Sequence, residues 1–356
     1  MKIKARTKTR AKTTAAARRK VAAAAPIATA QTKPRVHVMF TGGTISMKID
    51  PSTGAAIPAF SGRDIVAQVP GLRRIAKLTL EDYARLPGPH VSPRWMWSLK
   101  QRIEAHLADP GIDGVVVAHG TDTIEETAFL VDLTTDSPKP IVFCGAMRTL
   151  GEPGSDGPSN LRIAVSAAAS PKARAHGVLI AVGEHILAAG EAVKSHTQNL
   201  GAFRSEIGPV AILDRSGVRF VRGAVRRRFV RTGSIDPRVD LHVMVTGSDD
   251  GLIRASIERG ARGLVIEGTG SGNVPPLAVP AIKDALKAHI PVVITSRCGA
   301  GSVAPLYGYE GGGAQLQKMG CVLGGDLVGQ KARILLMVAL AASVSDLAMS
   351  ALFEAP

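Results

Sequence analysis

Val36-His37-Val38-Met39-Phe40-Thr41-Gly42-Gly43-Thr44-Ile45-Ser46 is the stretch from which the rest of the chain can be read. A short apolar run that ends in turn residues predicts a buried strand of a parallel sheet. Paired glycines let the backbone turn sharply and bring its N–H groups close to a ligand. Thr44 then places a hydroxyl just past the carboxyl end of the first strand, where open α/β sheets bind ligands. Three uses of the turn compete. It lacks the GxGxxG spacing of a dinucleotide turn. It suits a plain structural turn with a solvated threonine. It also suits a threonine nucleophile, which needs a base, an orienting charge and an oxyanion hole from elsewhere in the chain.

Outward from this stretch, composition sets the bounds. The 356 residues are rich in Ala and Gly and poor in aromatics. That is room for two α/β domains at roughly 100–200 residues each. No run of about 18 uninterrupted apolar residues occurs, so no transmembrane helix is expected. Cys144, Cys298 and Cys321 have no metal-ligand spacing and read as buried thiols in a reducing, cytoplasmic setting. Of the net charge of +15, eleven Lys and Arg lie in residues 1–35 with no acid, which leaves +4 for the rest. The 1–35 tail cannot bury enough surface to fold alone, so disorder is expected. It either stays solvated, binds nucleic acid through phosphates, or acts as a short export signal around Arg18-Arg19-Lys20 and Ala28-Thr29-Ala30.

Beyond Thr44, residues 47–60 form a loop with Pro51, Gly54 and Pro58, either a lid or a plain surface loop. Ser61 opens a helix, and Leu78–Leu86 carries the chain to the turn Pro87-Gly88-Pro89-His90. A helix with Pro93 in its first turn follows, on which Trp95 and Trp97 read as core. Asp113–Ala118 is the next buried strand, ending in His119-Gly120-Thr121-Asp122-Thr123. This second hydroxyl-rich strand-to-helix turn adds a carboxylate. Thr121 or Asp122 either caps the helix or joins a site with Thr44. Pro140–Cys144 is a third strand, ending in Gly145-Ala146-Met147-Arg148, and Arg148 is expected to pair with Asp156. Lys194 is either a solvated charge or, buried beside hydroxyls, a base.

The basic, weakly periodic stretch Arg222–Arg231 and the turn through Pro237 read as an inter-domain linker at 223–237. Strand–helix alternation resumes beyond it. The loop Gly268-Thr269-Gly270-Ser271-Gly272-Asn273 suits a phosphate nest but lacks the Lys-Ser/Thr of a P-loop. The expected fold is two doubly wound α/β domains. The larger, at 36–222, is N-terminal; the smaller, at 238–356, is C-terminal.

Thr41-Gly42-Gly43-Thr44-Ile45 together with His119-Gly120-Thr121-Asp122-Thr123 resembles the two signature blocks of bacterial L-asparaginases and glutaminase-asparaginases. The likeness extends through Gly145–Arg148, Asp156-Gly157-Pro158-Ser159-Asn160 and Gln330-Lys331-Ala332-Arg333, and covers roughly residues 36–350. It implies hydrolysis of the side-chain amide of L-asparagine through a threonine acyl-enzyme, with no cofactor and no metal. By the same resemblance, Thr44 is the nucleophile, and Thr121, Asp122 and Lys194 complete the catalytic group. Gly88, Thr121, Asp122 and Ala146 contact substrate, and Asn273 and Glu310 do so from a neighbouring subunit. The implied assembly is a homotetramer built as a dimer of dimers, with a small-molecule amide as substrate. Rival expectations are an amidohydrolase for glutamine or an asparagine derivative, and an inactive ligand- or nucleic-acid-binding protein.

Two departures from the family pattern touch substrate recognition. The 47–60 loop has no tyrosine, with Ala55 near its usual place, and Gly88 stands where a serine is usual. Either His90 supplies the missing polar group or it is structural.

Overall fold

The computed structural model describes residues 33–223 and 227–354. Residues 1–32, on which the readings of the tail fall, lie outside the described residues. The N-terminal part begins with β1 (Arg35–Gly42), the hairpin β2 (Met47–Ile49) and β3 (Ala56–Pro58), then α1 (Gly62–Ala67) and α2 (Leu72–Ile75). It continues through β4 (Lys77–Leu86), α3 (Pro93–Ala108), β5 (Gly114–Ala118), α4 (Ile124–Thr134), β6 (Ile141–Cys144) and α5 (Gly157–Ala168). It ends with the strands β7 (Val178–Val182), β8 (His185–Ala188), β9 (Val193–Lys194), β10 (Phe203–Arg204), β11 (Ala211–Asp214) and β12 (Gly217–Phe220). The C-terminal part runs β13 (Val239–Val243), α6 (Gly251–Glu258), β14 (Gly263–Gly268), α7 (Val279–Lys287), β15 (Val292–Ser296), α8 (Gly313–Lys318), β16 (Val322–Leu323), α9 (Gly329–Ala341) and α10 (Asp346–Glu354).

Two α/β domains result, the larger one N-terminal. Its eight-stranded sheet has the order β12-β11-β8-β7-β6-β5-β1-β4. The five strands from β7 to β4 are parallel, and β8, β11 and β12 are added through antiparallel pairs. The C-terminal sheet, β13-β14-β15-β16, is parallel throughout. β5 is buried at every residue, as its unbroken Gly-Val-Val-Val-Ala sequence requires of a strand covered on both faces. The chain leaves β1 for β4 on one side and returns through α3 to β5 on the other. The carboxyl ends of β1, β4 and β5 therefore flank the switch point, where such sheets bind ligands.

The two domains share core. Phe129, Leu130 and Leu133 of α4 lie in one buried cluster with Ile334, Leu335 and Met337 of α9 and with Val265 and Val293. Each fully buried side chain of this size contributes about 1.5–3 kcal/mol. Two arginines of the basic Arg222–Arg231 stretch are bonded into the fold. Arg222 holds Glu191 with two bonds, at 2.7 and 2.8 Å, and Arg228 donates to the Leu352 and Phe353 carbonyls.

Residues 47–60 are not an irregular loop but an antiparallel hairpin paired from Met47↔Pro58 to Ile49↔Ala56. Cys144 and Cys321 are buried, but Cys298 is exposed, against the expectation of three buried thiols. It lies in the Ser- and Gly-rich stretch after β15, where no apolar pattern covers it.

Candidate active site

Four turns meet at the carboxyl ends of β1, β4, β5 and β6. Register pairs Phe40 with Ala118, so the turns after β1 and β5 start side by side. Gly43 has φ +79°, and a Cβ there would fall 2.4 Å from the Gly120 Cα. Only glycine permits that approach. The next residues, Thr44 and Thr121, are thereby neighbours at adjoining strand ends. Gly88 packs on the same turn, since a Cβ on it would lie 3.2 Å from the Asp122 Cβ. The Thr123 hydroxyl ties the two turns by donating to the Gly88 carbonyl at 3.1 Å. The β6 turn, with buried Ala146, is held from α5, where the Asn160 amide donates to the Gly145 carbonyl at 3.0 Å.

The structure joins three of the four expected catalytic residues by direct contact. The Lys194 Nζ donates to the Thr121 Oγ1 at 3.0 Å and to the Asp122 Oδ1 at 2.6 Å. The Lys194 side chain is 14% exposed and that of Asp122 59%. Lys194 is therefore no solvated charge, while Asp122 opens to a depression lined also by Glu125, Ser195, His196 and Thr197. Thr44 is half-buried and starts a short 3-10 turn at the same switch point. Asn273 and Glu310 are not part of this group. The Asn273 Oδ1 accepts from the Gly313 N–H at 3.2 Å within the C-terminal domain, and Glu310 is exposed.

Sequence reasoning missed Glu125. This carboxylate is 4% exposed on α4, and its Oε2 accepts the Lys194 backbone N–H at 2.8 Å. Its other oxygen accepts from the Gln330 side chain at 2.9 Å. The available signal was an acid one turn after Thr121, at the start of a helix that is mostly apolar. His119 is fully buried, and its Nδ1–H donates to the Gly120 carbonyl at 2.9 Å. Burial pulls its imidazole down to about 4, so it stays neutral and shapes the turn.

Glu126, next to Glu125, faces Arg333 across the domain contact. Burial lifts its carboxyl to about 7, against the pull of Arg333. A carboxyl raised in the folded state above its ordinary 4.5 binds more protons folded than unfolded, so stability falls as pH climbs from about 4.5 to 7. Glu126→Gln removes that loss. It should raise the melting temperature at pH 8 relative to the native chain and leave the two nearly equal at pH 4; an equal shift at both pH values contradicts this.

Two expectations need correction. Arg148 does not pair with Asp156 through its guanidinium. Asp156 instead accepts the Met147 and Arg148 backbone N–H groups at 3.0 Å, and the guanidinium donates to the Pro153 carbonyl. The Gly268–Asn273 loop is no open phosphate nest, because the N–H groups of Thr269, Gly272 and Asn273 are bonded within the turn. Trp95 and Trp97, expected in the core, do pack against buried clusters but stay half-buried at their edge, Trp95 on Tyr83 and His119. Among the described residues, one group has ligand-like spacing for a metal: His37, Glu81 and His106. Arg102 already holds that carboxylate at 2.9 Å, and both imidazole Nε2 atoms meet its Oε2, at 3.2 and 2.7 Å, so the group satisfies itself as a hydrogen-bonded cluster. The group ties α3 to β4.

The chain matches the family models described as "Asparaginase, N-terminal" over residues 35–226 and "Glutaminase/Asparaginase C-terminal domain" over 238–353. It is 35% identical to an L-asparaginase of Bacillus licheniformis, over 86% of this chain and 95% of that one. It is 37% identical to a probable L-asparaginase of Deinococcus radiodurans, over 86% and 93%. Its fold superposes on the crystal structure of a probable cytoplasmic L-asparaginase from Campylobacter jejuni with a TM-score of 0.82 and 32% identity, covering 90% of this chain and 99% of that one.

Proposed function

The chain belongs to the asparaginase family and is an amidohydrolase, and from that premise we propose that it hydrolyses the side-chain amide of L-asparagine through a threonine acyl-enzyme. The observation that carries this proposal is the Lys194–Thr121–Asp122 contact, with the Thr44 turn packed against it through Gly43 and Gly120.

A threonine hydroxyl is a poor nucleophile at neutral pH unless a base takes its proton. Free of substrate, the Lys194 Nζ is held by the Asp122 carboxylate. The α-ammonium of asparagine would bind the same carboxylate, with its outer face open to solvent, by a charge-assisted bond. To serve as the base, Lys194 must act as a neutral amine. The neutral amine then accepts a proton from Thr121 as Thr121 accepts one from Thr44. The Thr44 Oγ1 attacks the amide carbon. Backbone N–H groups of the glycine-flanked turns stabilise the oxyanion, each worth about 2.7–4 kcal/mol. Collapse breaks the C–N bond, and the proton returns through Thr121 to the departing ammonia. Water then cleaves the Thr44 ester by the same relay to give aspartate. Ala146 lines the β6 side. Asn273 and Glu310 close the site from a second subunit of a homotetramer, and both lie outside the Lys194 cluster of their own chain. Three free thiols suit a cytoplasmic setting.

Ammonia release across asparagine, glutamine and the α-amide of asparagine tests the substrate. Asparagine should give the highest kcat/KM; no turnover of any of them would end the proposal. Gly88 is the expected weak point, since it has no hydroxyl for the α-carboxylate. Its backbone does not need glycine, but a Cβ would touch Asp122. Gly88→Ser should lower KM for asparagine by roughly tenfold and leave its α-amide unchanged. A shift of the same size for both substrates contradicts this role.

A further inference from the structure

Lys194 sits on a slight element. β9 is two residues long and pairs only with β10, Lys194 against Phe203 and Val193 against Arg204. A ladder this short does not fix a side chain with the accuracy a proton relay needs. Two consecutive residues in the first turn of α9, in the other domain, add to that hold. Lys331 is 1% exposed. Its ammonium donates to the carbonyls of Ala189 at 2.9 Å, Gly190 at 3.0 Å and Ala192 at 2.6 Å. An ammonium has three donors, and the turn leading into β9 takes all of them. Burying such a charge is unfavourable unless every donor is met. Burial pulls the Lys331 ammonium down to about 8, against the pull of Glu125, Asp132, Glu191 and Asp326. Gln330, beside it, donates to the Glu125 Oε1 at 2.9 Å while the Glu125 Oε2 takes the Lys194 N–H at 2.8 Å.

We infer that Gln330 and Lys331 are positioning residues that act through Lys194, gripping its segment from the turn before it and at its own backbone. The C-terminal domain thereby sets where the N-terminal domain's lysine meets Thr121 and Asp122. This rests on the role proposed for Lys194 above.

The test measures kcat and KM for asparagine in the full chain carrying Gln330→Met or Lys331→Met, each alone and combined with Lys194→Met, with folding checked by circular dichroism. Each single variant should lower kcat about fivefold or more while KM stays within about twofold. In the Lys194→Met background neither should lower kcat further, because the residue they act through is gone. A smaller loss in folded Gln330→Met, a loss confined to KM, or an equal fold-loss in both backgrounds overturns the inference; the last is what a merely structural role gives. Where Lys331→Met does not fold, the half-buried, uncharged Gln330 decides alone. Native kcat in Lys194→Met removes the lysine's assignment and this inference with it. Loss in Lys194→Met beside native kcat in Gln330→Met removes this inference only.

Discussion

Thr44→Ala and Thr121→Ala should each lower kcat by on the order of a thousandfold or more, and the double variant should lose little beyond either single one. In the mechanism proposed above, the two hydroxyls stand in one relay. Without Thr44 there is no oxygen to acylate, and without Thr121 its proton has no acceptor. Residues that act as a unit do not add their losses. Neither substitution should unfold the chain. Thr44 is half-buried in a turn fixed by the Ser46 hydroxyl bond to Gly43, and Thr121 is held through its backbone between β5 and α4. Steady-state kinetics with melting curves checks both points. Near-native turnover in either folded variant would sink the assignment, and additive losses would separate the two hydroxyls into independent roles.

Lys194→Met should lower kcat by about a hundred- to ten-thousandfold, the range for a missing proton-transfer group. Methionine keeps the length and apolar stem but accepts no proton. The backbone N–H of residue 194 still donates to Glu125, so β9 stays anchored. Asp122 loses the ammonium at 2.6 Å and is left with the substrate's alone, so KM for asparagine should hold or fall. A variant that loses affinity but keeps kcat would make Lys194 a binding residue and leave the base unassigned.

The strands that carry the site were legible because they are buried on both faces. Val36–Phe40, Asp113–Ala118 and Pro140–Cys144 are continuous apolar runs, and the turns that end them hold the hydroxyls. β4 gave no such signal. It is an edge strand with most residues half-exposed, and Leu78-Thr79-Leu80-Glu81-Asp82 neither alternates cleanly nor runs apolar. The antiparallel additions from β8 to β12 are two to four residues each, too short for periodicity to show. Thr44, Thr121, Asp122 and Lys194 were singled out through spacing and resemblance together. The charge of Arg148 misled, because composition does not say that a guanidinium will end on a backbone carbonyl. Glu125, Gln330 and Lys331 act across more than a hundred residues of sequence, and only the packing of α4 on α9 brings them together.

The most direct test of the acyl-enzyme is to quench the native chain in acid during turnover of asparagine and map its peptides by mass spectrometry. A β-aspartyl ester on the peptide carrying Thr44, absent from Thr44→Ala treated alike, is the result predicted. An ester on any other hydroxyl, or turnover with no ester on any peptide, would contradict it.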